Sequence, residues 1–274
     1  MDIIRNDTHI DFMARRKIAL VFSAVLILAS IGSLVTRGLD FGLDFTGGTL
    51  IEISYPEAPD LADVRGALAE AGYENFSVQT FGTSRDIVVR LPPEVAAEEG
   101  ADVSTVALEA LESVDAGLEV RRVEFVGPQI GEELANQGGL ALLYALAGIL
   151  LYVSFRFQWR FAVGAVAALI HDVIVVLGMI SLFQLSFDLT VVAALLAVIG
   201  YSLNDTIVVY DRVRENLRRL RAVSPAEAIN RSLNQTLERT LAMSGTTLFT
   251  VLALLVFGGD SLRSFSSALT VGVV

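Results

Sequence analysis

Five stretches of this chain are apolar over close to 20 residues: Ile18 to Thr36, Gly138 to Phe155, Phe161 to Phe183, Leu189 to Tyr210 and Leu241 to Phe257. A helix of about 20 apolar residues matches the hydrocarbon thickness of a bilayer. No soluble fold needs so many such runs, and 53% hydrophobic residues overall agree with a membrane body. A sixth run starts near Phe265 and stops at Val274, so the reading expects a sixth, truncated span. Met1 to Lys17 resembles the basic start of a signal peptide. The 19 apolar residues after it lack an Ala-x-Ala cleavage site, so the first run is expected to be retained.

The net charge of −11 is divided unevenly. Residues 37–137 hold 20 acidic and 6 basic groups, a net of −14, and the rest holds 11 and 14, a net of +3. An acidic soluble segment is therefore inserted into a mildly basic membrane body. The basic residues flank the apolar runs and form no patch, so no nucleic-acid partner is expected. With no cysteine there is no disulfide framework. Lys and Arg alternate between the two sides of the spans: they precede run one and separate runs two from three and four from five. The positive-inside rule then puts residues 1–17 in the cytoplasm and 37–137 outside.

The soluble segment has its own pattern. Gly48 to Tyr55 alternates as a strand. Asp60 is placed to cap a helix with Leu61, Val64 and Leu68 on one face. Phe76 to Phe81 and Ile87 to Leu91 read as strands around a Gly82 to Asp86 turn, Val103 to Val114 as a helix and Leu118 to Val126 as a last strand. The order β-α-β-β-α-β predicts an α+β, ferredoxin-like extracytoplasmic domain at 37–137. It holds no histidine and no phosphate loop; Gly42, Gly47 and Gly48 follow no strand of a βαβ unit. No catalytic residue, metal ligand or cofactor site is expected. The expected fold is a polytopic α-helical membrane protein: span one at 18–36, the external domain, and spans two to six within 138–274.

The chemistry lies in the spans. Asp205, next to Asn204, falls within the fourth run, where a carboxylate costs roughly 2.5–3.5 kcal/mol on insertion scales. His171 and Asp172 lie near the middle of the third. At 1.5 Å per residue, antiparallel neighbours would hold the two sites within about 6 Å of the same depth. Gly164, Ala168, His171, Val175 and Gly178 form one stripe at helical spacing, and Ala193, Ala197, Gly200 and Asn204 another. Small residues so spaced let helices approach closely in lipid. Ser244, Thr246, Thr247 and Thr250 supply hydroxyls on the fifth run, below Arg239. Each feature has a plainer reading. Span hydroxyls commonly bond back to their own helix, His171 suits a packing histidine, Asp211 and Arg212 suit helix-end charges, and Asp205 with Arg239 suits a structural ion pair. Burial disfavours a charged carboxylate and a nearby arginine favours it, so a group under both influences is able to exchange a proton as its surroundings move.

The run Gly-Tyr-Ser-Leu-Asn-Asp-Thr-Ile-Val-Val-Tyr-Asp-Arg-Val-Arg-Glu at 200–215 closely resembles the signature of the SecF family, a SecD/SecF branch of the RND superfamily. Phe-Gly-Leu-Asp-Phe-Thr-Gly-Gly at 41–48, with Asp44, Gly47 and Gly48, adds to it. So do Val126 to Leu134, His171-Asp172-Val173, Ser186 to Thr190 and Gly258 to Phe265. The resemblance implies six spans with one external domain and pairing with SecD. It implies association with the SecY channel complex and use of the proton-motive force to draw a preprotein across the cell membrane. It implies that Asp205 and Arg239 are the proton-linked pair, with His171, Asp172, Asn204 and Tyr201 as supporting polar groups. Gly200, Asp211 and Arg212 belong to the same motif. The competing reading is half of an RND-type small-molecule efflux transporter; the compact 101-residue external segment is too small for a multi-subdomain drug porter. A purely structural assembly factor would tolerate apolar residues at both 205 and 239.

Overall fold

A computed structural model describes residues 8–93, 102–156, 159–220, 222–259 and 262–274. Met1 to Asp7, Arg221 and the Asp260-Ser261 pair of the last sequence motif lie outside the described residues. The chain divides into two units, one of residues 1–40 and 142–274 and the other of residues 41–141.

The second unit is built on a four-stranded sheet. Its strands are β1 (Gly48–Ser54), β2 (Ser77–Phe81), β3 (Thr83–Leu91) and β4 (Glu119–Val126), in the order β2-β3-β1-β4 with every pairing antiparallel. Thr49, Ile51, Ile53 and Tyr55 alternate inward from β1, as the period of two requires. They meet α3 (Leu61–Glu70), which buries Val64 and Leu68, and α4 (Asp102–Glu112), which buries Ala107 and Leu111. Asp60 caps α3 by accepting from the Ala62 amide at 2.8 Å. A one-turn helix, α2 (Leu43–Thr46), leads into β1.

The hairpin is tighter than the sequence pattern indicates. β3 begins at Thr83, and the turn is Gly82 alone at φ +76°. Residues 83–86 stay in the strand because Asp86 pins them: its carboxylate accepts from Ser54 at 2.6 Å and Thr83 at 2.5 Å and pairs with Arg121 at 3.1 Å. The Gly47-Gly48 pair has a backbone reason. Both have positive φ, and a Cβ on Gly48 would sit 2.2 Å from the Leu91 carbonyl oxygen.

Five helices are long and apolar enough to cross a membrane: α1 (Arg16–Arg37), α5 (Pro128–Arg156), α6 (Trp159–Phe183), α7 (Leu189–Arg219) and α8 (Pro225–Phe257). A shorter α9 covers Arg263–Val273. Three helices outrun the apolar stretches that predict them. α5 starts ten residues before Gly138, and the basic segment 211–239, which separates the fourth and fifth apolar runs, is a helical hairpin whose two helices meet between Arg219 and Pro225. Hydropathy ends where charge begins, but helicity does not. Glu215 pairs with Arg212 and Arg219, and Glu227 with Arg231, at helical spacing. Ser224 accepts from the Glu227 amide, with Pro225 in the first turn, and so starts α8.

Close approach holds α1 on α6. A Cβ on Gly178 would lie 2.5 Å from the Ser30 Cα, and the Ser33 and Ser181 hydroxyls bond at 3.0 Å. The α6 stripe is used again at Gly164, which faces the Tyr210 hydroxyl of α7. The α7 stripe is not. Ala193, Ala197, Gly200 and Asn204 are all exposed, and no atom comes within 4 Å of a Cβ placed on Gly200. α7 instead buries Val191, Val192, Ala194, Leu195, Val198 and Ile199, so its bulkier face meets its neighbours within this chain.

Candidate functional site

α7 lies between two partners and carries polar groups toward both. Asp205, half-buried, accepts a hydrogen bond from the Thr240 hydroxyl of α8 at 2.9 Å. One turn earlier, the Ser202 hydroxyl donates to the Asp172 carboxylate of α6 at 2.6 Å. Just before Ser202, the Tyr201 hydroxyl donates to Ser244 of α8 at 3.0 Å. Ser202 and Asp205 are three residues apart, hence neighbours on one helix surface, about 4.5 Å along the axis. Ser202 thus brings the Asp172 carboxylate of α6 to the α7 surface one turn from Asp205. Each bond replaces contacts that lipid cannot offer a polar group.

His171 Nδ1 lies 3.0 Å from Asp172 Oδ1, while its Nε2 is buried without a hydrogen-bond partner among the described residues. Buried polar atoms in native structures are normally bonded, so this nitrogen is a rare exception. The span hydroxyls divide: Ser244 bonds Tyr201, whereas Thr246 and Thr250 bond back to carbonyls of α8.

Arg239 is exposed, and among the described ion pairs none joins it to Asp205. Its successor Thr240 holds that position; consecutive helical residues point about 100° apart. Asn204 likewise faces outward. Asp211 and Arg212 are not helix-end charges, because α7 continues to Arg219. Asp211 pairs with Arg156 of α5 at 2.6 Å, and Arg212 with Glu215. Asp44 lies half-buried in the first turn of α2. Sequence reasoning passed over Ser202 and Thr240. A helical wheel centred on Asp205 marks Ser202; the sequence holds no comparable signal for Thr240.

Toward the turn of the hairpin, Asn216 donates to Ser232 at 2.9 Å and to Gln235 at 3.0 Å; Asn216 and Ser232 are buried. This contact sets how α7 and α8 align before they reach Asp205 and Thr240.

The model of the C-terminal part of the SecD/SecF protein export membrane proteins matches residues 106–274, and that of the SecD/SecF GG motif matches residues 32–55. A Pseudomonas aeruginosa protein translocase subunit SecF is 56% identical over 267 residues, covering 97% of this chain and 86% of the relative. The chain belongs to the SecF family. An Escherichia coli O157:H7 SecF is 49% identical over 264 residues, 96% of this chain and 82% of its own. Among solved structures, the crystal structure of SecDF from Thermus thermophilus, described as a translocon-associated membrane protein, matches 99% of the chain. Its TM-score is 0.87 at 39% identity. The present chain spans 37% of that SecDF chain. SecF membership makes this a multi-pass membrane protein, consistent with its five long apolar helices.

Proposed function

We propose that this SecF-family chain serves protein export as an auxiliary subunit that draws on the proton-motive force, with Asp205 the group that gains and loses the proton. The observation that carries this reading is the Asp205–Thr240 contact. A carboxylate on an apolar helix is kept where it is useful, and its only described hydrogen bond is to a neutral hydroxyl on the neighbouring helix. Protonation alters what that hydroxyl meets and so biases the packing of α7 on α8. Moving one charge through the membrane potential is worth about 2.3 kcal/mol per 100 mV, enough to shift a two-state helix arrangement. Arg239 acts in a second arrangement, brought toward the carboxylate by rotation of α8.

The partner is a SecD-type subunit, which covers the small-residue stripe Ala193, Ala197, Gly200 and Asn204. Exposure of that whole stripe supports this, because such faces suit close helix packing in lipid. The assembly serves the SecY channel complex at the bacterial inner membrane and handles the emerging preprotein. The arginine-rich α7–α8 hairpin lies in the cytoplasm and the 41–141 unit outside, by the distribution of positive charge. That unit is ferredoxin-like, a reading supported by its strand order and by two helices packed in one core against the sheet. α9 belongs to a sixth span.

The test is preprotein release from vesicles carrying the chain with its SecD partner, with and without a proton gradient. Asp205→Asn is expected to abolish the stimulation by the gradient and Asp205→Glu to retain part of it, with the complex still assembled. Full stimulation in Asp205→Asn contradicts the proposal.

A further inference from the structure

The segment before α1 is held on the side of α8 by two asparagines. Asn234 accepts from the Ile10 amide at 2.9 Å and donates to the Ile10 carbonyl at 2.9 Å. A planar amide thus offers one main-chain residue the donor and acceptor that a strand edge would offer. One turn earlier, Asn230 accepts from the Met13 amide at 2.9 Å and donates to the Asp11 carboxylate at 2.6 Å. Asp11 also accepts from the Ala14 amide at 3.0 Å, just before α1 begins. Asn234 donates as well to the Asn230 carbonyl at 2.8 Å, which fixes its rotamer. Three of the four bonds to the segment go to main chain, so they do not depend on the side chains at 10 and 13.

The position of these bonds gives them a consequence. α1 packs on α6 at Gly178 and Ser181, α6 bonds α7 through Asp172 and Ser202, and α7 bonds α8 through Asp205 and Thr240. The asparagine bonds return from α8 to α1 and close this ring of helices. Asn234 lies six residues before Thr240 on the same helix, about 9 Å along its axis. The Asn216 and Tyr201 contacts, by contrast, tie α8 to α7. We propose that Asn230 and Asn234 form a clasp for the backbone of residues 10–13, and that this clasp is a positioning device that sets where α8 presents Thr240 and Arg239 to Asp205. The second half rests on the function proposed above. The clasp borders a cavity of about 780 Å³ that also holds His9, Arg212, Arg231 and Glu238. Its bonds to Ile10 and Asp11 are exposed and compete with water there.

Hydrogen exchange of the full chain, assembled with its SecD partner in lipid vesicles, tests the clasp. The Ile10 and Met13 amides are expected to be protected. Asn230→Ala with Asn234→Ala accelerates their exchange about tenfold, a loss of roughly 1.4 kcal/mol in closing. Asn234→Asp keeps the acceptor and loses the donor, so it falls between. Free exchange of both amides in the unsubstituted chain overturns the clasp. Gradient-stimulated release, followed against pH in the same vesicles, tests the positioning. The double variant is expected to shift the pH profile and lower the maximum at least threefold, with Asn234→Asp partly rescued and the amount of complex unchanged. An unaltered profile overturns the positioning role. If Asp205→Asn also leaves release unchanged, the proposed function and the positioning role fall together, and the exchange data alone still decide whether the clasp exists.

Discussion

Residues 41–141 bury Ile51, Val64, Leu68, Val89, Ala107 and Leu111 almost completely. The membrane helices leave Leu20, Leu28, Val35, Phe155, Phe249 and Phe257 between 68% and 90% exposed. The 41–141 unit buries one carboxylate, Asp86, and satisfies it with the Ser54 and Thr83 hydroxyls and the exposed Arg121. The membrane unit carries His171, Asp172 and Asp205 within apolar helices. One sequence thus answers two solvents. In water, apolar burial supplies the driving force. In lipid, an outward leucine costs nothing, so cohesion comes from close contacts at Gly164 and Gly178 and from bonds such as Tyr201–Ser244. Such bonds are individually weak.

Substitutions sharpen this contrast. Leu68→Ala is expected to destabilise the 41–141 unit by about 2–5 kcal/mol, whereas Leu28→Ala on the outer face of α1 changes little. Thermal unfolding of the purified chain, followed by protease resistance of each unit, measures both. Equal losses would erase the distinction. Gly48→Ala is the next largest. Its positive φ and the Leu91 carbonyl in its path point to about 1–3 kcal/mol or more, read by the same assay.

Asp86 gives the water-facing unit a pH dependence. The Ser54 hydrogen bond, with those of Thr83 and the charges of Arg121 and Arg85, holds its carboxyl below the usual carboxylate range. The folded unit therefore binds fewer protons than the unfolded one. The resulting stability is fully present above about pH 3.9 and is lost as pH falls through the lowered value. Asp86→Ala should remove that acid-sensitive component and cost about 1 kcal/mol by taking the acceptor from the Ser54 and Thr83 hydroxyls. An unchanged acid limb would contradict it. The smallest effect belongs to the membrane bonds: Thr240→Val is expected to cost about 0.6 kcal/mol in bundle stability, measured by denaturant titration in micelles. A loss as large as that of Leu68→Ala would show that cohesion in the two units has one source.

The alternation of Ile51, Ile53 and Tyr55 and the cap at Asp60 made the 41–141 unit readable, because a sheet against water writes its pattern with a period of two. The spans were readable by length, but their ends were not. Hydropathy is silent on whether Arg212 to Arg219 stay helical, since ion pairs and caps decide that. The α7 stripe shows another limit. Its spacing announces close packing but not whether the partner helix belongs to the same chain. Asp205 stood out by its cost in lipid, whereas Thr240 lies just before the fifth apolar run, where hydropathy gives no sign that α8 already faces α7.

The central claim is that Asp205 exchanges a proton with its surroundings, and infrared difference spectroscopy of the assembled complex across a pH titration tests it most directly. A protonated-carboxyl band is expected to grow as the pH is lowered, to shift in Thr240→Val, and to be missing from Asp205→Asn. Identical spectra for the unsubstituted chain and Asp205→Asn would contradict the account.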